Sequence, residues 1–166
     1  MKEFIVKAAS NKHYSVWQEE TEIGNLVCEK WFSFKAVMSI RNKGTFQVIP
    51  KGFWGSTIEV WKDDKLVLNF KMHWNGQIII KTWFAGIEDA YIFKNKGIFK
   101  SGYILQNKEG KELLEITPDF SWKKLHCNYI IHTSGMPDNE FGDLLMITSV
   151  HCANYFMAMA TTAVIV

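Results

Sequence analysis

Apolar residues recur at every second position along most of the chain. Phe34, Ala36, Met38 and Ile40 share one face of an extended segment, and Ile58 and Val60 share another. The same period predicts strands at Phe4–Ala8, Tyr14–Glu19, Leu26–Trp31, Phe34–Arg41, Thr45–Pro50 and Thr57–Trp61. It continues at Leu66–Met72, Gln77–Phe84, Ala90–Lys94, Gly102–Gln106, Glu112–Thr117 and Ser121–His132. Turn signals separate these runs: Ile23-Gly24-Asn25, Asn42-Lys43-Gly44, Lys62-Asp63-Asp64-Lys65, Asn75-Gly76 and Asn107-Lys108-Glu109-Gly110. Asn75-Gly76 is a strong hairpin signal because both residues tolerate positive φ. The pattern predicts an antiparallel sandwich or barrel of about twelve strands over residues of roughly 3–134.

The alternation stops at the C-terminus. From Leu144 to Val166 no side chain is charged and 17 of 23 residues are apolar. Met and Ala favour helix there. Pro137-Asp138-Asn139-Glu140 is a helix start with acids at the positive end of the dipole, so a helix is predicted over about 140–163. A helix apolar on all sides belongs either in a bilayer or in the middle of a protein. Its length permits a span. The flanks oppose one: no Lys or Arg follows Lys124, the preceding Asp138, Glu140 and Asp143 are acidic, and His151 and Asn154 lie mid-helix. Twelve strands about 4.8 Å apart, tilted about 40°, enclose a barrel of about 12 Å radius. Inward side chains leave a bore near 6 Å in radius, which admits a helix of about 10–12 Å diameter. Strand count and uncharged helix therefore explain each other: a closed antiparallel barrel with the helix threaded through its centre. Leu144, Ile147, Phe156 and Met159 are then core. His151, Asn154, Thr161 and Thr162 form a narrow polar stripe bonded to the barrel wall.

Composition fits one domain of 166 residues, 48% hydrophobic and 22% charged, which excludes disorder and low-complexity fibres. Aromatics at 14% and only three Pro suit strands. The net charge is +2, and of 19 basic residues only Arg41 is Arg. That disfavours nucleic acid, where Arg reads bases and clamps phosphates. Cys28, Cys127 and Cys152 are odd in number and widely spaced, which points to buried free thiols rather than disulfides or a zinc knuckle. Met1–Lys7 lacks the apolar stretch of a secretory signal, so a cytoplasmic location is expected, with peripheral association at a membrane as a variant of it.

Candidate chemistry is sparse. The basic residues cluster as Lys30, Lys35, Arg41, Lys43 and Lys51, then Lys94, Lys96 and Lys100, then Lys123-Lys124. Trp31, Phe34, Phe93, Phe99 and Trp122 interleave with them. Such a surface suits an anionic headgroup, with Lys as point charges; the same lysines also suit solvated strand faces. The five His show no metal spacing, and no nucleophile elbow, P-loop or dinucleotide fingerprint occurs. Acidic pairs such as Glu19-Glu20, Asp63-Asp64 and Glu88-Asp89 sit at turns, where solvation accounts for them.

The chain resembles the tubby C-terminal-like superfamily, which includes tubby, the phospholipid scramblases and the LURP-one-related proteins. The resemblance covers the whole chain: about twelve strands and then a hydrophobic helix. It rests on the order of Trp31-Phe32-Ser33-Phe34-Lys35, Tyr91-Ile92-Phe93-Lys94 and Gly110-Lys111-Glu112-Leu113-Leu114. It implies a closed barrel threaded by its helix and, in tubby-like members, binding to phosphoinositide-bearing membranes through basic side chains. Lys30, Lys35, Arg41, Lys43, Lys94, Lys96, Lys123 and Lys124 are the candidates for that contact. In scramblases an acidic segment before the last helix is associated with calcium, and Asp138, Glu140 and Asp143 hold the similar place here. They lack the alternating oxygen ligands of a calcium loop. The single Arg and the missing cysteine-rich acylation stretch depart from the family pattern.

The expected function is a non-enzymatic module recognising anionic phospholipid or phosphoinositide at a membrane surface. A protein-interaction or scaffold domain using surface aromatics is the alternative. A small lipid-modifying enzyme would need a deep pocket holding His126 or His132 beside a carboxylate.

Overall fold

A computed structural model describes residues 1–30, 34–52, 56–97, 101–119 and 127–163, with side chains to residue 160. Its strands are β1 Lys2–Ala8, β2 His13–Gln18, β3 Thr21–Cys28, β4 Ala36–Ile40, β5 Gly44–Lys51 and β6 Thr57–Lys62. They continue as β7 Lys65–Met72, β8 Ile78–Thr82, β9 Asp89–Asn95, β10 Tyr103–Asn107, β11 Glu112–Asp119 and β12 Asn128–Thr133. The α-helix α1 spans Glu140–Ala163. Each strand pairs antiparallel with its sequence neighbours. The ring closes where β1 meets β12, with Lys2 opposite Thr133 and Val6 opposite Tyr129.

Period-two alternation decides which side chains point inward. Val6, Val16, Leu26, Met38, Phe46, Val48, Val60, Leu68, Phe70, Ile80, Phe93, Leu105, Leu114 and Ile131 are all at most 1% exposed. They line the bore, and α1 fills it. The ten consecutive residues from Leu144 to Ala153 are each at most 2% exposed. Ten residues make almost three turns and cover every face of a helix, so this stretch has barrel wall on all sides. At about 1.5 Å per residue the whole helix is roughly 36 Å long. Eight-residue strands tilted about 40° stand only roughly 20 Å tall. The helix therefore runs past the barrel, and the expectation that Met159 is core is corrected: at 53% exposure it lies beyond the wall. Among the described residues no helix is long and apolar enough to cross a membrane.

The two mouths of the barrel are distinct. At the lower mouth the helix begins. Asn139 is its N-cap, with Oδ1 accepting from the Gly142 N–H at 3.1 Å. A Cβ at Gly142 would collide with the Pro137 carbonyl, so only glycine fits that turn. At the upper mouth the helix emerges through aromatic rings. Phe34 meets Tyr155 at 4.5 Å, and Phe156 stacks on Tyr103 at 5.5 Å and on Phe93 at 5.9 Å.

Two strand expectations need correction. Ile23-Gly24-Asn25 is not a turn; β3 runs straight through it from Thr21 to Cys28. The reversal sits at Glu19, which adopts φ 53. Gly24 is inside the strand because a side chain there has no room: a Cβ would strike the Ser39 carbonyl and lie 2.7 Å from Ile147 Cδ1 of the helix. The last strand begins at Asn128, and residues 120–126 of the expected Ser121–His132 strand lie outside the described residues.

Candidate functional site

Successive connections alternate between the two mouths, because every strand reverses direction. That alternation sorts the charges. The upper mouth takes the outermost residues of the strands and the described connections that reach it. It carries Lys7, Lys12, Lys30, Lys35, Lys51, Lys71, Lys94 and Lys96 against Glu29, Asp119 and Glu115, which reaches Lys96 from the wall. Apart from Glu59 and Glu115 on the barrel wall, the other described carboxylates lie at the lower mouth. They include Glu19, Glu20, Asp63, Asp64, Glu88, Asp89 and Glu109. The described cations divide evenly, since Lys2, Arg41, Lys43, Lys62, Lys65, Lys81, Lys108 and Lys111 stand at the lower mouth; the carboxylates do not, so the barrel is net basic where the helix emerges and net acidic where it starts.

The lysine clusters of the sequence are divided by this arrangement. Lys30 and Lys35 are at the upper mouth, with Lys35 3.1 Å from Glu29. Lys94 points outward from β9, and Lys96 is ion-paired with Glu115. Arg41 and Lys43 stand at the other end of β4, at the lower mouth. Arg41 lines an open groove of about 270 Å³ there with Glu22, Asn25 and Ser39. No single site holds Lys30 with Arg41. Lys100, Lys123, Lys124, Trp31, Phe99, Trp122 and His126 lie outside the described residues, as do the side chains of Thr161 and Thr162.

The proposed calcium carboxylates are spread among lysines instead of facing a common centre. Asp138 Oδ2 accepts from Lys2 Nζ at 2.7 Å, and Glu140 pairs with Lys62. Burial pushes the Asp143 carboxyl up and Asp138 adds to the rise, while Lys2 and Lys43 pull it down. Among the described residues no group of three or more His, Cys, Asp or Glu is placed to hold a metal ion.

His132 does meet a carboxylate, with Nε2 3.0 Å from Glu3 Oε2. The pair sits on the exposed outer wall between β12 and β1. The Arg41 groove and the narrow crevice beside Lys2 and Asp143 include neither residue. Burial raises the thiols of Cys28 and Cys127 to about 11 and that of Cys152 well above its usual value. All three are therefore neutral at pH 7, when a nucleophile needs the thiolate.

The polar stripe of the helix is bonded to the wall as expected at two positions. The His151 Nε2–H donates to the Phe34 carbonyl at 3.0 Å, and Asn154 Oδ1 accepts from Tyr129 Oη at 2.6 Å. Among the described residues His151 Nδ1 and Asn154 Nδ2 meet no hydrogen-bond partner. Desolvation drives the His151 pKa down to about 4, with the bond to Phe34 acting weakly against it. An unfolded histidine titrates near 6.5. Acid thus protonates the unfolded chain first, and stability is complete above about pH 6.5 and falls as pH drops toward about 4. At pH 4.5 the loss attributable to His151 is about 2–3 kcal/mol, or roughly 5–10 °C in Tm. Replacing His151 by Leu is expected to flatten that part of the melting-temperature profile between pH 7.5 and 4.5. An unchanged slope would place the acid lability elsewhere.

Trp74 is 98% exposed at the tip of the β7–β8 hairpin, on the upper mouth. It lies beside the Asn75-Gly76 turn signal, which accounts for the turn and says nothing of the indole. The signal that finds it is parity: Trp74 sits in a connection on the same mouth as Lys30, Lys51 and Lys96. Comparison of the chain with protein-family models, with curated proteins and with solved structures gives no match.

Proposed function

We propose that the protein is a non-enzymatic module that binds anionic phospholipid at a membrane surface through the upper mouth of its barrel. The observation that carries this reading is the polarisation of charge between the two mouths. An anionic surface attracts the upper mouth and repels the lower one, so orientation follows from electrostatics alone. Lys suits the role better than Arg does, because a diffuse layer of headgroups needs point charges and no bidentate geometry. The twelve-stranded closed barrel filled by its own C-terminal helix is also the architecture that kinship with the tubby-like superfamily implies. It supports that kinship, and with it the choice of phosphoinositides as the headgroups to try first.

Vesicle flotation tests the reading. The protein is expected to float with phosphatidylcholine vesicles that contain phosphoinositide and to stay in the unbound fraction with phosphatidylcholine alone. Raising salt from about 0.1 M to about 1 M shortens the screening length from about 10 Å to about 3 Å and is expected to release it. Equal recovery in the unbound fraction with both vesicles, insensitive to salt, removes the proposal.

A further inference from the structure

We infer that the barrel docks end-on, with the axis of α1 along the membrane normal and the Trp74 indole seated among the headgroups as its apolar wedge. The inference rests on the membrane-surface reading and adds to it a specific contact and an orientation.

Trp74 is presented by a built hairpin, not by a slack loop. The His73 N–H donates to the Gln77 carbonyl at 2.8 Å, and the Gly76 N–H to the His73 carbonyl at 3.0 Å. Asn75 Oδ1 accepts from the Gln77 N–H at 3.1 Å, which ties the tip a second time. Gly76 takes φ 78, a conformation that a side chain would strain. The turn thus holds a large amphipathic ring out into solvent at 98% exposure, where its apolar area gains nothing from the rest of the chain.

Chemistry separates this tip from other exposed apolar residues. An indole prefers the headgroup layer, where its ring is half-buried and its N–H finds acceptors. Lys71 on the same hairpin and Lys51 two strands away share its mouth, and cations near an interfacial aromatic fit an anionic bilayer. Met159, 53% exposed on the emerging helix, lies on the same side of the molecule. At the opposite mouth Ile87 is 70% exposed, but Glu88 and Asp89 follow it directly. That tip carries a smaller apolar side chain beside the wrong charge, so it serves as an internal control.

The test compares wild type, Trp74→Ala and Ile87→Ala in flotation with phosphatidylcholine vesicles, plain or containing phosphoinositide. Both side chains are exposed, so neither substitution threatens the core. Wild type is expected to float only with the anionic vesicles. Trp74→Ala is expected to bind them about tenfold more weakly, as partial burial of one large apolar side chain implies. Ile87→Ala is expected to match wild type. If wild type floats and Trp74→Ala floats as well, or Ile87→Ala loses as much, end-on docking is overturned and the membrane reading survives. If wild type ignores both vesicles, or prefers a single-stranded oligonucleotide added as a competing polyanion, the two fall together.

Discussion

A carboxylate placed at Val150 is expected to lower Tm by more than about 10 °C or to abolish the folding transition, whereas the same carboxylate at Met159 is expected to leave Tm within about 2 °C. Val150 is fully buried in the middle of the ten-residue stretch that touches wall on every side. A charge there is cut off from solvent by the wall on every side. An uncompensated buried charge costs at least about 4 kcal/mol, a large share of the roughly 5–15 kcal/mol that holds a domain of this kind together. Met159 is beyond the upper mouth and half in solvent, so Asp there is solvated in both states. Thermal melts of the Val150→Asp and Met159→Asp proteins, followed by near-ultraviolet circular dichroism, make the comparison. A Val150→Asp protein that melts with wild type would mean that the helix does not fill the barrel.

Gly24→Ala is expected to cost about 3 kcal/mol although it adds a single methyl group. The new Cβ meets two things at once, the Ser39 carbonyl of the neighbouring strand and the Ile147 side chain of the helix at 2.7 Å. Helix and wall come close there, and glycine is what lets them approach. Ile147→Ala alone is expected to cost about 2–5 kcal/mol through the cavity it leaves. The double variant is expected to be more stable than the sum of the two losses predicts, by about 1 kcal/mol, because the methyl group moves into the space that Ile147 vacates. The backbone of Ser39 remains in the way, so rescue is partial. Urea denaturation of the four proteins measures the coupling. Strict additivity would show that this glycine does not mediate the contact between helix and wall.

Much of the architecture is legible in the order of residues. Inward positions such as Met38, Ile58 and Val60 follow from period two, and the helix from Glu140 to Ala163 follows from its caps and its missing charges. Gly24 is the instructive miss, since glycine in an apolar run marks either a turn or a close approach of two backbones. Only the position of Ile147, more than a hundred residues later, decides between them. The charge pattern is half legible. Lys35 and Arg41 are near in sequence yet stand at opposite ends of β4, because a strand that crosses the barrel carries its two ends apart. Lys2 and Asp138 are remote in sequence yet bonded, because β1 and β12 are neighbours in the ring. The His151 bond to the Phe34 carbonyl leaves no trace in composition, since any residue supplies a carbonyl.

Closure between β1 and β12 also has a temporal side. The first strand finds its second neighbour only when the twelfth has been made, and the filling helix is synthesised later still. During translation the inner faces of β1 through β11 have neither a sealed seam nor a plug, and both outer strands of the growing sheet present unpaired backbone groups. Contacts of such long sequence separation fold slowly. Until α1 has left the ribosome the nascent chain is therefore expected to expose an open, sticky sheet, the kind of surface that chaperones bind.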